Sequence, residues 1–466
     1  MQFIQRLARG FLWLIGLLFV FLVLTYTALL AINWKDDPAS TAVRHLAETH
    51  ANRAVVADRN NAYLYLLGIT ASEGQSPIAL GGKRIEWMAW AAQQPQTAEL
   101  IEPQHPRWPD RSKELPLFVE PLIDACKSNN GQCLQRLSNN EQRVDEWLEL
   151  EQLHLQRYLE LIQLTSMYEP LPYNLHFSFP EYQHALGGQR LLLVNAWQLA
   201  RRGDIQQARN LLQNDLLFWR MALANSDLLI SRMIASAAIN QHFLWSIQLF
   251  QNQDGYAGLL PIDAWRAPMT ESERSWDRTL SGEMIFVDGY LQQMKARELN
   301  WLANQDEDAL IQRVVKVLTP PLLLKQASLN RYAEFLLEQR DLLAVPYAEM
   351  EEARERSMQL ERSRTLAGFK PKYLRNLGGV LLEMQASDQG FTNYYLRIAD
   401  LEGLRRASLL LAEMRNQQVT PDQIPEYLQH NELQDPYREQ PFGWDEKSGS
   451  LLFEGLSENG TYRLTY

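Results

Sequence analysis

The N-terminal part of the chain contains one long apolar run. Phe11 to Ile32 reads FLWLIGLLFVFLVLTYTALLAI and includes no charged side chain. A helix of these 22 residues is about 33 Å long, close to the hydrocarbon thickness of about 30 Å in a bilayer. Core helices seldom run this far without a polar face, and cleaved signal peptides have shorter apolar segments before a small-residue cleavage site. We therefore predict that residues 11–32 form a transmembrane helix whose partner is the lipid bilayer.

The charges that flank this run favour a cytoplasmic N-terminus. Arg6 and Arg9 precede the run, whereas Lys35 and Arg44 follow it among acidic residues. Lysine and arginine tend to stay on the cytoplasmic side of a transmembrane helix. We expect residues 1–10 to form a cytoplasmic tail, and the part of the chain that follows residue 32 to lie outside the cytoplasm.

After the apolar run, most of the chain repeats apolar positions at helical spacing. A juxtamembrane stalk over 33–60 is predicted to lead into a helical soluble domain over 61–434, built as an irregular bundle or a solenoid-like array. The pattern changes near the C-terminus, where short alternating runs surround the turn sequences SG (448–449) and NG (459–460). We predict a mostly α fold with a small C-terminal β-hairpin or meander over 435–466.

Several helix boundaries are visible within the domain. Residues 134–167 are predicted to form one long helix, and residues 188–250 two helices that the RRGD turn at 201–204 separates. The sequence TESE at 270–273 is a capping box, in which the Thr hydroxyl and the Glu carboxylate each cap a backbone amide. The helix that it opens is expected to reach Asn304.

Composition and charge narrow the possible classes of function. Apolar residues make up 46% of the chain, and its formal net charge is −11. This apolar content supports a large folded core and argues against disorder. Sequence-independent nucleic-acid binding needs clustered lysine and arginine, so we expect no nucleic-acid partner.

The two cysteines form a closely spaced pair. Cys126 and Cys133 lie in ACKSNNGQC, and the Ser-Asn-Asn-Gly turn between them would bring their side chains together. A pair of this kind suits an oxidising compartment such as the periplasm. We predict a structural disulfide; a redox switch or half of a metal site is the alternative, although no CxxC spacing occurs.

Glu283 is the acidic residue most suggestive of chemistry. It falls in an apolar stripe that includes Trp276, Leu280 and Val287 at helical spacing. A buried carboxylate has a raised pKa and can act as a general acid. The structural alternative is a glutamate that pairs with a neighbouring arginine or sits at the rim of the stripe. Glu283 is therefore a candidate catalytic acid for which the sequence identifies no partner.

Three further charged residues interrupt an apolar block. Arg220, Asp227 and Arg232 are candidates for a polar network in the core, with Glu283 or Asp277 as their partners. A satisfied set of buried ion pairs is the interpretation that we favour over chemistry.

The histidines do not predict a metal site. His154, His176 and His184 are loosely grouped around Glu181, but no HExxH or His-x-His spacing occurs. We interpret them as incidental loop and helix-surface residues. Nucleophile-elbow, Walker and dinucleotide-binding motifs are absent from the sequence, so no cofactor is predicted.

Five stretches of the soluble part resemble an uncharacterised family of proteobacterial membrane-anchored, mostly helical envelope proteins. The resemblance implies architecture and location, and it implies no activity. The stretches are NAYLYLLGI (61–69), DLLFWRMALANSDLLISRMIASAAI (215–239), ERSWDRTLSGEMIF (273–286), RIADLEGLRRASLLLAEMR (397–415) and DPYREQPFGWD (435–445).

These observations favour a single-pass inner-membrane protein whose periplasmic helical domain is a binding or scaffold module for another envelope component. A tether near the membrane raises the effective concentration of the domain toward partners there. The alternative is a membrane-tethered hydrolase that uses Glu283 as its acid.

Overall fold

The structure is predominantly helical, as predicted. A computed structural model describes residues 2–94, 100–109, 114–128, 131–170, 178–251, 259–293, 322–364, 370–386, 390–458 and 460–466. The α-helices in these residues are α1 (Gln2–Ile32), α2 (Thr41–Ala51), α3 (Ala62–Leu67), α4 (Pro77–Ala92), α5 (Val119–Ser128), α6 (Cys133–Ser138), α7 (Glu141–Leu150), α8 (Gln152–Leu161), α9 (Tyr182–Arg201), α10 (Ile205–Asn225), α11 (Leu229–Leu249), α12 (Asp263–Arg266), α13 (Glu271–Arg274), α14 (Asp277–Gln293), α15 (Lys325–Leu343), α16 (Met350–Ser363), α17 (Leu377–Ala386), α18 (Phe391–Asn416) and α19 (Ile424–His430).

Helix α1 contains the predicted apolar run. The segment Arg9–Ile32 is long and apolar enough to cross a membrane, and its most apolar stretch is not buried in the structure. Large side chains such as Phe11, Trp13 and Phe19 are mostly exposed. A continuous exposed apolar surface of this length is unusual for a protein that is surrounded only by water.

The chain divides into two compact units, and neither unit is one continuous segment. The predicted domain boundaries near residues 60 and 434 were drawn from the sequence pattern, whereas these units are defined by the packing of the chain. The two predicted boundaries therefore stay predictions. The smaller unit comprises Met1–Glu48, Met284–Gln339 and Ser357–Gly390, and the larger unit comprises Thr49–Glu283, Arg340–Arg356 and Phe391–Tyr466.

In the smaller unit, the residues that follow α1 are held in place by hydrogen bonds. The side-chain oxygen of Asn33 accepts from the backbone nitrogen of Asn376 at 2.5 Å. The Asp36 carboxylate accepts from the backbone nitrogens of Gln326 and Ala327 at 2.9 and 3.0 Å. Because these amides belong to the first turn of α15, Asp36 acts as an N-terminal cap for that helix.

Helices α9, α10 and α11 form the centre of the larger unit. Each of the three packs against the other two, and α18 packs against α11. The four tryptophans Trp197, Trp219, Trp245 and Trp265 are almost completely buried in this unit. Burial of large aromatic side chains removes much apolar surface from water and accounts for a large share of core stability.

The predicted single helix over 134–167 is wrong, because the structure has three short helices there. Asn139 and Asn140 separate α6 from α7, and the Asn140 side chain donates to the carbonyl of Arg136 at 2.8 Å. Asparagine side chains compete in this way with backbone hydrogen bonds and interrupt helices. A second break occurs at Glu151, between α7 and α8.

The region 188–250 contains one more break than predicted. The turn at 201–204 separates α9 from α10 as expected, but Ser226–Leu228 also separates α10 from α11. Ser226 and Leu228 are extended, and the buried carbonyl of Ser226 accepts from the hydroxyl of Thr279 at 2.9 Å. This long-range bond compensates for the interruption, and for that reason the local sequence did not predict it.

The capping box is confirmed, but the helix that follows it is shorter than expected. The Thr270 side chain accepts from the backbone of Glu273, and the Glu273 carboxylate accepts from the backbone of Thr270. Helix α13 ends at Arg274, and α14 begins at Asp277 after an extended Ser275. The predicted end at Asn304 lies outside the described residues.

The C-terminal β structure is confirmed. Strands β1 (Gly443–Asp445), β2 (Ser450–Glu454) and β3 (Thr461–Thr465) form an antiparallel sheet in the order β1-β2-β3. The Phe453 ring packs so closely on α18 that a Cβ at Gly403 would lie 2.0 Å from it. Only glycine permits this approach of sheet and helix.

The predicted disulfide is present in the larger unit. Cys126 and Cys133 are bonded, both are buried, and their Cα atoms are 4.6 Å apart. The bond links the end of α5 to the start of α6.

Candidate functional site

Two adjacent glycines bring helices α8 and α9 close together. A Cβ at Gly188 would lie 2.6 Å from the Cβ of Tyr158, and a Cβ at Gly187 would lie 3.0 Å from Cε1 of His154. The missing side chains therefore allow the His154 ring to reach the backbone of α9. Glycine in a helix interior costs stability, so a packing role of this kind explains its presence there.

The His154 ring is fixed by hydrogen bonds at both nitrogens. Its Nε2 lies 2.6 Å from the carbonyl oxygen of His184, and its Nδ1 lies 3.0 Å from a carboxylate oxygen of Glu151. Contacts at both nitrogens fix the orientation of the imidazole plane in the wall between α8 and α9.

An irregular segment adds Arg107 and Trp108 to the two histidines. The backbone of Trp108 donates to the carbonyl of Thr70 at 3.0 Å, which places the indole ring against α8 and α9. The ring centroids of Trp108 lie 5.0 Å from His154 and 5.1 Å from His184. The indole is half-buried, so part of it stays accessible beside the histidines.

Glu181 organises the same corner. It accepts from Arg107 at 2.5 Å and lies 3.4 Å from Nε2 of His184. The hydrogen bond from His184 and the nearby Arg107 together lower the pKa of Glu181 to about 2. Glu181 is therefore ionised across the physiological range and holds both partners in place.

Arg107, Trp108, His154 and His184 border a cavity of about 760 Å³ in the larger unit. This volume lies within the range of about 300–1,000 Å³ that is typical of small-molecule pockets. The lining is mixed, with Trp108 and several leucines beside amides and carboxylates. Its polar members among the described residues are Glu73, Arg107, Glu149, Glu151, Gln152, His154, Gln156 and His184.

Asp215 and His242 form a second polar network, which is closed to solvent. His242 lies with Nδ1 2.7 Å from Asp215 and accepts from Trp265 Nε1 at its Nε2, 3.0 Å away. The Tyr158 hydroxyl donates to Asp215 and accepts from Trp219 at 2.7 Å. Both nitrogens of the His242 ring are therefore engaged with buried side chains of the core. The network is structural.

Arg220 is part of an ion pair in the core, as predicted, but with a different partner. It makes a bidentate ion pair with Glu273 at 2.5 and 2.9 Å, and not with Glu283 or Asp277. The same guanidinium donates to three backbone carbonyls near residues 264–268. Glu273 therefore serves both as the partner of Arg220 and as the cap of α13.

Asp227 and Arg232 also have partners other than the predicted ones. The Asp227 carboxylate accepts from Arg53 and Arg278. Arg232 is fully buried, donates to the carbonyls of Leu223 and Glu273, and lies over the ring of Trp276. Asp277 pairs instead with Arg340 at 2.8 Å.

Glu169 is a buried acid that the sequence did not single out. Its Oε1 accepts from the backbone nitrogen of Asp227 at 3.2 Å, and its own nitrogen donates to the Asp227 carboxylate at 3.4 Å. Burial and the Asp227 charge raise the pKa of Glu169 well above its ordinary value. Glu169 therefore keeps its proton to a higher pH than an exposed glutamate does.

Glu283 is half-buried, and burial raises its pKa to about 7. Its Oε1 accepts from the backbone nitrogen of Leu229 at 2.6 Å. Leu229 is the first residue of α11, and the N-terminal position of that helix has no side-chain cap of its own. The contact identifies Glu283 as a cap supplied from α14. Glu283 does not line the cavity beside Trp108, and its predicted catalytic role stays a prediction.

Two of the three predicted incidental histidines lie together. His154 and His184 have ring centroids 5.9 Å apart, whereas His176 lies outside the described residues. Within the described ranges, no three His, Cys, Asp or Glu side chains converge in a way that could hold a metal ion. The pair belongs to the cavity wall, and its ring nitrogens face carbonyl and carboxylate groups.

Comparison with known proteins assigns no family. No protein-family model, no curated protein and no solved structure matches the chain.

Sequence reasoning missed most of the cavity. Trp108, Arg107 and Glu151 carry no motif, and the segments that supply them are separated by tens of residues. The one local signal is the Gly187–Gly188 pair inside an otherwise regular helix, which marks a close approach.

Proposed function

We propose that the chain is a membrane-anchored binding protein whose larger unit holds sugar units of an envelope polymer in the cavity beside Trp108. The observation that carries the proposal is the convergence of Trp108, His154 and His184 on one polar cavity of about 760 Å³. This proposal makes the predicted envelope partner a glycan.

The chemistry of the lining favours a ligand that has both apolar faces and many hydroxyl groups. A sugar ring offers C–H groups that pack on an aromatic side chain such as Trp108. Gln152 and Gln156 each carry a donor and an acceptor, as hydroxyl recognition requires. Most of the lining is positioned by regular helices, which supports a preformed site.

The charge of the described lining makes the binding of strongly anionic ligands unfavourable. Among the described residues that border the cavity, the three glutamates Glu73, Glu149 and Glu151 outnumber the one arginine, Arg107. Like charges brought together across an interface are unfavourable, so neutral or amino sugars suit this cavity better than phosphorylated ones.

The apolar helix α1 supports a location at a membrane. Its most apolar stretch is fully accessible, and a bilayer would cover it. Attachment would hold the binding unit close to polymers of the same envelope and raise its effective concentration there. In this proposal the bilayer is the bacterial inner membrane and the larger unit is periplasmic.

Calorimetric titration of the full-length protein tests the proposal. The protein is kept in a polyoxyethylene detergent, because sugar-based detergents would compete, and it is titrated with a trimer of N-acetylglucosamine and with cellotriose. We expect at least one trimer to bind, and Trp108→Ala to weaken that binding by about tenfold or more.

Trp90→Ala is the matched control, because Trp90 is also half-exposed but does not line the cavity. The Trp90→Ala variant should bind the sugar trimers with the affinity of the wild type. Absence of binding by both trimers, or equal weakening by Trp90→Ala and Trp108→Ala, would contradict the proposal.

A further inference from the structure

A second cavity of about 470 Å³ lies elsewhere in the larger unit. Its floor is one face of α11, where Met233, Ala237, Asn240 and Leu244 recur at helical spacing. None of these four side chains is fully buried, so the floor is accessible and largely apolar.

Three cations from separate segments border this floor. Lys127 comes from the end of α5, Arg397 from the first turns of α18, and Arg463 from β3. Among the described residues that line the cavity, no aspartate or glutamate occurs. Such a concentration of positive charge stands out in a chain whose net charge is −11.

Asp400 is a buried acid that contacts one of the lining residues, and it is already satisfied by several donors. Asp400 accepts from the Tyr437 hydroxyl at 2.7 Å, from the Leu456 nitrogen at 2.8 Å, and from both the nitrogen and the hydroxyl of Ser457. Ser457 thus contacts Asp400 and also lines the cavity. Asp400 therefore stabilises the loop that forms the wall.

Neutral donors complete the polar part of the lining. The amide of Asn240 donates to the Tyr462 hydroxyl at 3.2 Å, which leaves the hydroxyl hydrogen of Tyr462 available to a ligand oxygen. Thr461, the exposed residue that precedes Tyr462 on β3, also lines the cavity. Arg463 lies 3.3 Å from Asp445 in an exposed pair, which is weak in water and can be exchanged for a ligand anion.

We propose that this cavity binds a phosphate monoester with an apolar substituent. The three cations and the Tyr462 hydroxyl hold the phosphate, since charge-assisted hydrogen bonds to phosphate are strong and arginine matches its geometry. The apolar face of α11 holds the substituent. The site is distinct from the cavity beside Trp108, whose acidic lining selects against anions.

The test uses the full-length protein in a non-ionic detergent, with hexyl phosphate as the probe in calorimetric titration. We expect a dissociation constant below about 1 mM for hexyl phosphate. Inorganic phosphate should bind about tenfold or more weakly, because it lacks the methylene groups that α11 would cover. Hexanol lacks the charge and should not bind measurably.

Variants separate the cavity from general surface charge. Arg397→Gln and Arg463→Gln should each weaken hexyl phosphate binding by about tenfold, the effect of one lost charge-assisted hydrogen bond. Lys447→Gln is the matched control, because Lys447 is an exposed cation in the turn between β1 and β2 of the same sheet but does not line the cavity. No binding of hexyl phosphate, or equal weakening by Lys447→Gln, would overturn the inference.

The natural phosphate ester could be a lipid or a soluble metabolite. Repetition of the titration in nanodiscs with and without phosphatidic acid, a phospholipid whose headgroup is a phosphate monoester, distinguishes these sources. Competition by the phospholipid identifies a lipid headgroup, and unchanged hexyl phosphate affinity identifies a soluble ester. In both outcomes, Arg397→Gln and Arg463→Gln should bind hexyl phosphate more weakly than the wild type does. Wild-type affinity in these variants would overturn the assignment of a phosphate site to this cavity.

Discussion

The carboxylate of Glu283 accepts a hydrogen bond from the backbone nitrogen of Leu229 at 2.6 Å and thereby caps α11. Burial raises the pKa of Glu283 from 4.5 to about 7. The folded protein consequently retains a proton that the unfolded chain releases near pH 4.5, so this residue contributes a loss of stability as pH rises from 4.5 to about 7.

Glu283→Gln keeps the acceptor and removes the titration. Relative to wild type, we expect the variant to gain up to about 3 kcal/mol of unfolding free energy between pH 4.5 and about 7.5. Urea unfolding of both proteins at the two pH values measures this difference. If the difference in unfolding free energy between the two proteins is the same at both pH values, Glu283 does not titrate in this range.

Adjacent glycines in α4 provide a matched pair of substitutions. A Cβ at Gly81 would lie 1.9 Å from the carbonyl oxygen of Leu64, whereas a Cβ at Gly82 would meet no atom within 4 Å. We expect Gly81→Ala to lower the unfolding free energy by about 2 kcal/mol or more, because α3 and α4 must move apart.

Gly82→Ala should instead raise the unfolding free energy by about 0.5–1 kcal/mol, the usual advantage of alanine over glycine in a helix. Chemical denaturation of the two variants under identical conditions measures both effects. The described packing of α3 on α4 is incorrect if the two substitutions change stability equally.

The Arg220–Glu273 pair tests how much the core depends on its ion pairs. Both side chains are buried, so Arg220→Met leaves an uncompensated carboxylate and should cost about 3–5 kcal/mol of unfolding free energy. Arg266 pairs with Glu413 on the surface, and Arg266→Met should cost less than about 1 kcal/mol. Equal costs in urea unfolding would contradict the buried position of Arg220.

Features of the fold could be predicted from the sequence where neighbouring residues determine them, and were missed where residues far apart in the chain determine them. Local patterns predicted α1, the capping box at Thr270, the C-terminal strands and the Cys126–Cys133 bond, because neighbouring residues determine each of them. The break at Ser226–Leu228 was missed because its compensation comes from Thr279, about fifty residues away.

The same reason explains the errors at the candidate sites. Burial of Arg220, Asp227 and Arg232 could be predicted from the apolar block around them. Their partners could not be predicted, because tertiary packing brings Glu273 to Arg220 and Arg53 to Asp227. The cavity beside Trp108 likewise requires the tertiary approach of four segments.

The oxidation state of the two cysteines tests whether this part of the protein lies in an oxidising compartment. In protein purified under non-reducing conditions from a native membrane, we expect Cys126 and Cys133 to resist maleimide labelling until a reductant is added. Replacement of both by serine should lower the unfolding free energy by about 2 kcal/mol, since the closed loop is short. Free thiols in freshly isolated protein would contradict an oxidising location.

Attachment to a bilayer through α1 is the central claim, and partition of the full-length protein after an alkaline carbonate wash tests it most directly. We predict that the wild-type protein and Val55→Arg, an exposed position outside α1, stay with the membrane pellet. Leu17→Arg combined with Phe21→Arg should move the protein to the supernatant, because each charge at a helix centre costs about 2.5–3.5 kcal/mol of insertion free energy. Recovery of the intact wild-type protein in the supernatant would contradict the claim.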